Sequence, residues 1–130
     1  MKYYNATMVS LSFDDAVARA RELLSGEGFG VITEVDVKET MKQKLGVDFR
    51  NYLILGACNP PLAHRALETE DKIGVLLPCN VILQDSGEGV EVAAMDPVAA
   101  MGAIGNDELE SVAGEVKERL DRVIAGFKAG

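Results

Sequence analysis

Apolar positions along this chain keep two rhythms: alternation or an unbroken run where strands are expected, and a period near 3.6 where helices are. Tyr3 to Ser10 alternates, with Tyr4, Ala6 and Met8 on one face and Tyr3, Asn5, Thr7 and Val9 on the other. Its modest apolarity predicts a strand near a sheet edge. Ser12 followed by Asp15 imitates a capping box and starts a helix at Phe13. Phe13, Ala16, Val17, Ala20, Leu23 and Leu24 then recur at spacings of three and four, opposite a charged face. The glycines of Gly26-Glu27-Gly28-Phe29-Gly30 end this helix and lead into a strand from Phe29 to Val35. A phosphate-binding glycine loop would run from strand to helix, the opposite order. Asp36 and Glu39 cap a short polar helix whose stripe of Val37, Met41 and Leu45 is narrow and which closes at Gly46. Such a helix suits the surface or a partner subunit.

The densest apolar stretches are Tyr52 to Cys58 and Val75 to Leu83. Runs apolar at both parities predict central strands covered on both faces. Between them Asn59 is placed to cap a helix with Pro60 at its first position, where the missing N–H is no loss. Leu62, Ala63, Ala66 and Leu67 form its apolar stripe, and His64 and Glu68 lie four apart on a polar flank. Ser86-Gly87-Glu88-Gly89 predicts a hairpin into a strand from Val90 to Met95. Asp96-Pro97 opens a short helical turn through Met101, followed by the small, apolar residues 102–105. The longest helix starts at Asp107; Leu109, Val112, Ala113, Val116, Leu120, Val123, Ile124 and Phe127 keep its rhythm. Acidic residues at its start and Lys128 at its end suit the helix dipole. The pattern predicts one α+β domain over residues 1–130, an antiparallel sheet of about five strands with the long first and last helices packed on one face.

Composition narrows the partners. Hydrophobic residues make up 48% and charged residues 26%, the balance of a globular chain. No run reaches the ~18 to 20 apolar residues that span a bilayer. Thirteen basic against 21 acidic residues give a net charge of −8, which repels phosphate backbones and acidic membrane surfaces. Lys38, Lys42 and Lys44 are the nearest approach to a basic patch, and Glu34, Asp36, Glu39 and Asp48 surround them. Neither a nucleic acid nor a membrane is expected as a partner. The first residues show no apolar targeting core, and two cysteines without close spacing read as free thiols, so the cytoplasm is the expected compartment.

The run LGACNPPLAHRAL from Leu55 to Leu67, followed by GVLLPCNVIL from Gly74 to Leu83, carries a resemblance. Its paired Cys-Asn dipeptides, Cys58-Asn59 and Cys79-Asn80, each stand beside proline. In these features and over essentially its whole length the chain resembles an uncharacterised family, domain of unknown function three hundred and two. The resemblance implies an α+β fold of TATA-binding-protein-like architecture, with a curved antiparallel sheet and helices on one side, and implies homodimers. It implies no activity.

Candidate chemistry centres on the same stretch. Cys58 and Cys79 fall at or near strand ends, where the simplest reading is two buried thiols acting as small hydrophobes. The functional reading brings Cys58, Asn59, Cys79 and Asn80 together, with His64 across the mouth, as a thiol redox pair, a nucleophile with an amide donor, or part of a metal site. Each version lacks something: there is no C-x-x-C spacing, too few ligands for zinc, and no evident hydrogen-bond reach between thiol and imidazole. No metal ligand set, cofactor or catalytic residue is therefore assigned. Asn80, inside an apolar strand, is expected either to find partners or to cost roughly 1 to 3 kcal/mol, and the backbone interrupted by Pro78 is the nearest candidate. From a different class comes a binding module: a hollow between the sheet and the last helix, softened by Met95 and Met101. The favoured reading is a homodimeric protein that binds a small, hydrophobic ligand through Cys58, Asn59, His64, Cys79, Asn80, Met95 and Met101. The alternative is a thiol-dependent enzyme or redox or metal protein using Cys58 and Cys79, and a third reading gives the apolar connection and the narrow helix to dimerisation alone.

Overall fold

Side chains at helix starts decide where the chain changes direction. In the computed structural model, which describes residues 2–129, the Ser12 hydroxyl accepts the Asp15 N–H at 3.1 Å and opens α1 (Phe13–Gly26). Asp36 accepts from Glu39 at 3.0 Å and opens α2 (Val37–Leu45), which Gly46 closes in the left-handed conformation at φ 66°. Asn59 opens α3 (Pro60–Thr69), and Asp96 opens the short α4 (Pro97–Met101) by accepting from Val98 and Ala99. The long α5 (Asp107–Ala129) has a cap that its acidic first turn conceals: Asn106 accepts the Leu109 N–H at 3.1 Å.

The strands are β1 (Tyr4–Val9), β2 (Gly30–Asp36), β3 (Tyr52–Cys58), β4 (Cys79–Asp85) and β5 (Val90–Met95). They form one open, curved, wholly antiparallel sheet in the order β1-β5-β4-β3-β2. The edge position of β1 and the β4–β5 hairpin agree with expectation. Register gives each strand one inward set: Cys79, Val81 and Leu83 lie beside Ala57, Leu55 and Leu53, and all six are buried. Against this face pack α1, through Ala16, Ala20 and Leu24, and α5, through every apolar position of its predicted stripe. The core is thus a single layer between the sheet and the two long helices, with α3 packed on α5 at one end.

Two expectations are corrected. The second central strand begins at Cys79 and not at Val75: residues Ile73–Leu76 coil into a 3₁₀ turn that leaves Val75 85% exposed. Pro78, preceded by a cis peptide, has no N–H to give a ladder and stands just outside the strand. Nor are β3 and β4 fully covered on both faces, since on the outward parity Ile54 and Ile82 are only half-buried and Asn80 is exposed.

Leu120 is buried at the middle of the α5 stripe. Leu120→Ala is expected to lower stability by about 2 to 5 kcal/mol through the cavity it leaves. Chemical denaturation measures this, and an unmoved midpoint would take Leu120 out of the core.

Candidate functional site

Where β3 ends and β4 begins, the helices do not close over the sheet. The register pairs Ala57 with Cys79, and beyond this pair β3 turns at once into α3. Below α3 lies a half-open cleft of about 340 Å³. Leu62, Ala63, Ala66 and Leu67 of α3 form one wall, Val112, Ala113 and Val116 of α5 another, and Phe29, Ile32, Leu77 and Pro78 the rim at the sheet end. The cleft exists because small side chains stand where large ones would meet: Ala63 and Ala66 on α3, and Ala113 on α5. A bulge between Val31 and Thr33 of β2 sets Ile32 at the mouth, 62% exposed. Gly56, next to the cleft in β3, is covered by Thr33 and Pro78, and a Cβ there would collide with both side chains.

Among the lining side chains the only heteroatoms are the thiols of Cys58 and Cys79, the thioether of Met101 and the amide of Asn59. Asn59 is 8% exposed, and its amide is largely committed to backbone. Its oxygen accepts the Leu62 N–H at 3.3 Å, and its nitrogen donates to the Glu27 carbonyl at 3.4 Å. Arg119 of α5 donates to that same carbonyl at 3.1 Å. Gly28, at φ 85°, passes so close that a Cβ would lie 2.9 Å from the Asn59 amide nitrogen.

Both cysteines are free thiols, Cys79 buried and Cys58 half-buried. Burial, and secondarily the neighbouring Cys58, pushes the Cys79 thiol up to about 11 from 9.0. At neutral pH Cys79 is therefore a protonated, weak nucleophile.

Of the residues proposed from sequence, Cys58, Asn59, Cys79 and Met101 share this cleft. Asn80 and Met95 do not line it: Asn80 opposes Gly56 and faces outward, one residue on from inward-facing Cys79. Asn80 and Met95 line a second hollow of about 390 Å³ on the outer face of the sheet, beside Tyr3, Tyr4, Tyr52, Gln84 and Glu91. There the exposed Asn80 amide is open to water, so the expected cost of a buried amide does not arise. His64 lies in neither hollow; it is exposed on α3, with Nε2 3.0 Å from a Glu68 carboxylate oxygen. Sequence reasoning missed Phe29, Ile32 and the role of Ala63 and Ala66 as cleft lining. Among the described residues no group of three or more His, Cys, Asp or Glu is placed to hold a metal ion, and no helix is long and apolar enough to cross a membrane.

The chain belongs to the family described as domain of unknown function DUF302, which matches residues 5–127. A solved structure similar to it is described as an uncharacterized conserved DUF302 protein from Bacillus stearothermophilus. The two share 27% sequence identity over 96% of this chain and 98% of the other, with a TM-score of 0.90. No curated protein matches the chain.

A raised thiol pKa means that the folded state holds the Cys79 proton more tightly than the unfolded chain. The stability this contributes is complete below about pH 9 and is lost as pH climbs toward about 11. Alkylation of Cys79 in the folded protein should accelerate with pH up to about 11. Peptide mapping by mass spectrometry follows this directly, and a plateau already reached near pH 9 would contradict the burial of the thiol.

Proposed function

We propose that this protein binds a small, uncharged, apolar ligand in the cleft beneath α3 and works as a homodimer. The cleft itself carries the reading: about 340 Å³ of space, open to solvent, with no charged side chain on its walls. That volume lies within the range of small-molecule sites, which are mostly apolar with few polar groups. A charged ligand would lose its hydration there without an ion partner in return. Cys58 and Met101 supply polarizable contacts, and Asn59 holds the start of α3 in place. The raised Cys79 thiol favours binding over thiol-dependent catalysis, since a catalytic nucleophile needs its thiolate.

Dimerisation is supported by the outer face of the sheet. Tyr4, Tyr52, Ile54, Ile82 and Met95 lie there half-buried or exposed, and α2 has no buried residue. A second copy covering this face would explain why β3 and β4 are apolar at both parities. The excess of acidic residues argues against nucleic acid or an acidic membrane surface as a partner. Free thiols persist in a reducing compartment, so the reading assigns the protein to the cytoplasm.

An apolar fluorescent dye tests the cleft. Wild-type protein should bind it with micromolar affinity, and Ala63→Phe, which fills the space between α3 and α5, should weaken binding by about tenfold or more, equivalent to 1.4 kcal/mol. Equal binding by a folded Ala63→Phe protein would end the ligand reading. Light scattering at micromolar concentration should give twice the chain mass, with Ile82→Glu shifting it toward the monomer; a wild-type monomer would remove the dimer.

A further inference from the structure

We propose that the sulfur atoms of Cys58, Cys79 and Met101 form a low-coordinate site for a soft monovalent cation, copper(I), at the floor of the cleft. The proposal stands independently of any organic ligand.

Register brings the two thiols together. Cys79 lies directly across from Ala57, and Cys58 is the next residue along β3. Strand spacing and rise then put the two cysteine Cα atoms about 6 Å apart, a distance a shared metal ion can bridge. Successive residues of a regular strand face opposite sides, but here β3 stops at Cys58 and β4 starts at Cys79, and both line the one cleft. Met101, at the end of α4, lines it too and is 4% exposed.

The donor set selects the ion. Zinc would need four ligands, or three and a water, from Cys, His or carboxylate, and no group of three such residues is assembled among the described residues. Calcium and magnesium require oxygen ligands, which this apolar lining does not offer. Thiolate and thioether sulfur with no nitrogen or oxygen ligand is the chemistry that prefers copper(I). On loading, each thiol releases its proton to solvent and each sulfur donates a lone pair to the ion. No electron is transferred, and the loaded site carries a single negative charge. α3 begins at Pro60, two residues after Cys58 and just past its cap Asn59, so the positive end of its dipole lies near that charge. The ion also separates two sulfurs that would otherwise repel each other as thiolates.

The test is titration of the reduced protein with copper(I), anaerobically, in competition with a chromophoric copper(I) chelator. One ion per chain is expected, undisturbed by a tenfold excess of zinc(II). Cys58→Ala and Cys79→Ala should each weaken binding by more than about 100-fold, the upper end of what losing even a supporting partner costs a metal site. Met101→Leu should weaken it by about tenfold, the lower end of that range. Wild-type affinity in any of the three variants, or displacement by zinc, overturns the assignment. Should a variant fail to fold by circular dichroism, the copper absorption edge of the loaded wild-type protein decides: sulfur neighbours alone support the site, and nitrogen or oxygen neighbours overturn it.

Discussion

One buried amide holds the cleft end of this molecule together. Asn59 caps α3 with its oxygen and reaches the Glu27 carbonyl with its nitrogen, while Arg119 from α5 donates to that same carbonyl. Three segments distant in sequence, the α1–β2 loop, the β3–α3 junction and the long last helix, are fixed against each other at this point. A cap of this type contributes about 0.5 to 2 kcal/mol. Its geometric effect is the larger one, because the angle at which α3 leaves β3 decides whether its alanines close onto α5 or stand off from it. Prolines at the first two helical positions leave few N–H groups for other partners, so Asn59 carries most of the satisfaction of that helix end.

The sheet then divides the molecule into two environments of different chemistry. On the helical side the inward parity is sealed by α1 and α5, and the thiols lie at the one corner where the seal stops. On the other side tyrosines and a chain of polar contacts take over: Arg50 donates to Gln84 at 2.9 Å, and Gln84 donates to Glu91 at 2.9 Å. The guanidinium of Arg50 also stacks over Phe49, 4.5 Å from the ring centre. Polar ladders of this kind suit a surface that is wetted or only partly covered, whereas the inward side has no buried side-chain polar atom left unpartnered among the described residues. Consecutive residues such as Cys79 and Asn80 therefore belong to different chemical settings although they are neighbours in the chain.

Much of this architecture was legible in the sequence because it is written locally. Ser12, Asp36, Asn59 and Asp96 each cap the helix that follows within three residues, and an oxygen at the right spacing is visible without any knowledge of the fold. The α5 stripe was equally plain, since eight apolar positions at helical period admit one arrangement. What failed was information that periodicity does not contain. The stretch Val75 to Leu83 is apolar on both sides of its single amide, Asn80, so nothing in it marked that the strand starts only at Cys79. The bulge that exposes Ile32 depends on pairing with β3 and leaves no mark in β2 itself. The cleft was illegible for a related reason: Leu62, Ala63 and Ala66 look the same whether the space beside them is filled or left open.

The position of Cys79 bears on which chemistry the cleft can host. Desolvation, the larger cause of its raised pKa, is a property of the strand start beneath α3, and the Cys58 charge adds to it only if Cys58 is itself ionised. A site built for nucleophilic attack supplies a base or a cationic neighbour to stabilise the thiolate, and no such side chain lines this cleft. The only imidazole is turned outward and engaged with Glu68. The Cys79 thiol therefore rests as a neutral, polarizable group suited to apolar contact. The proposed copper(I) ion would bring the missing positive charge with it, so that the same two sulfurs would be apolar lining when empty and ligands when loaded.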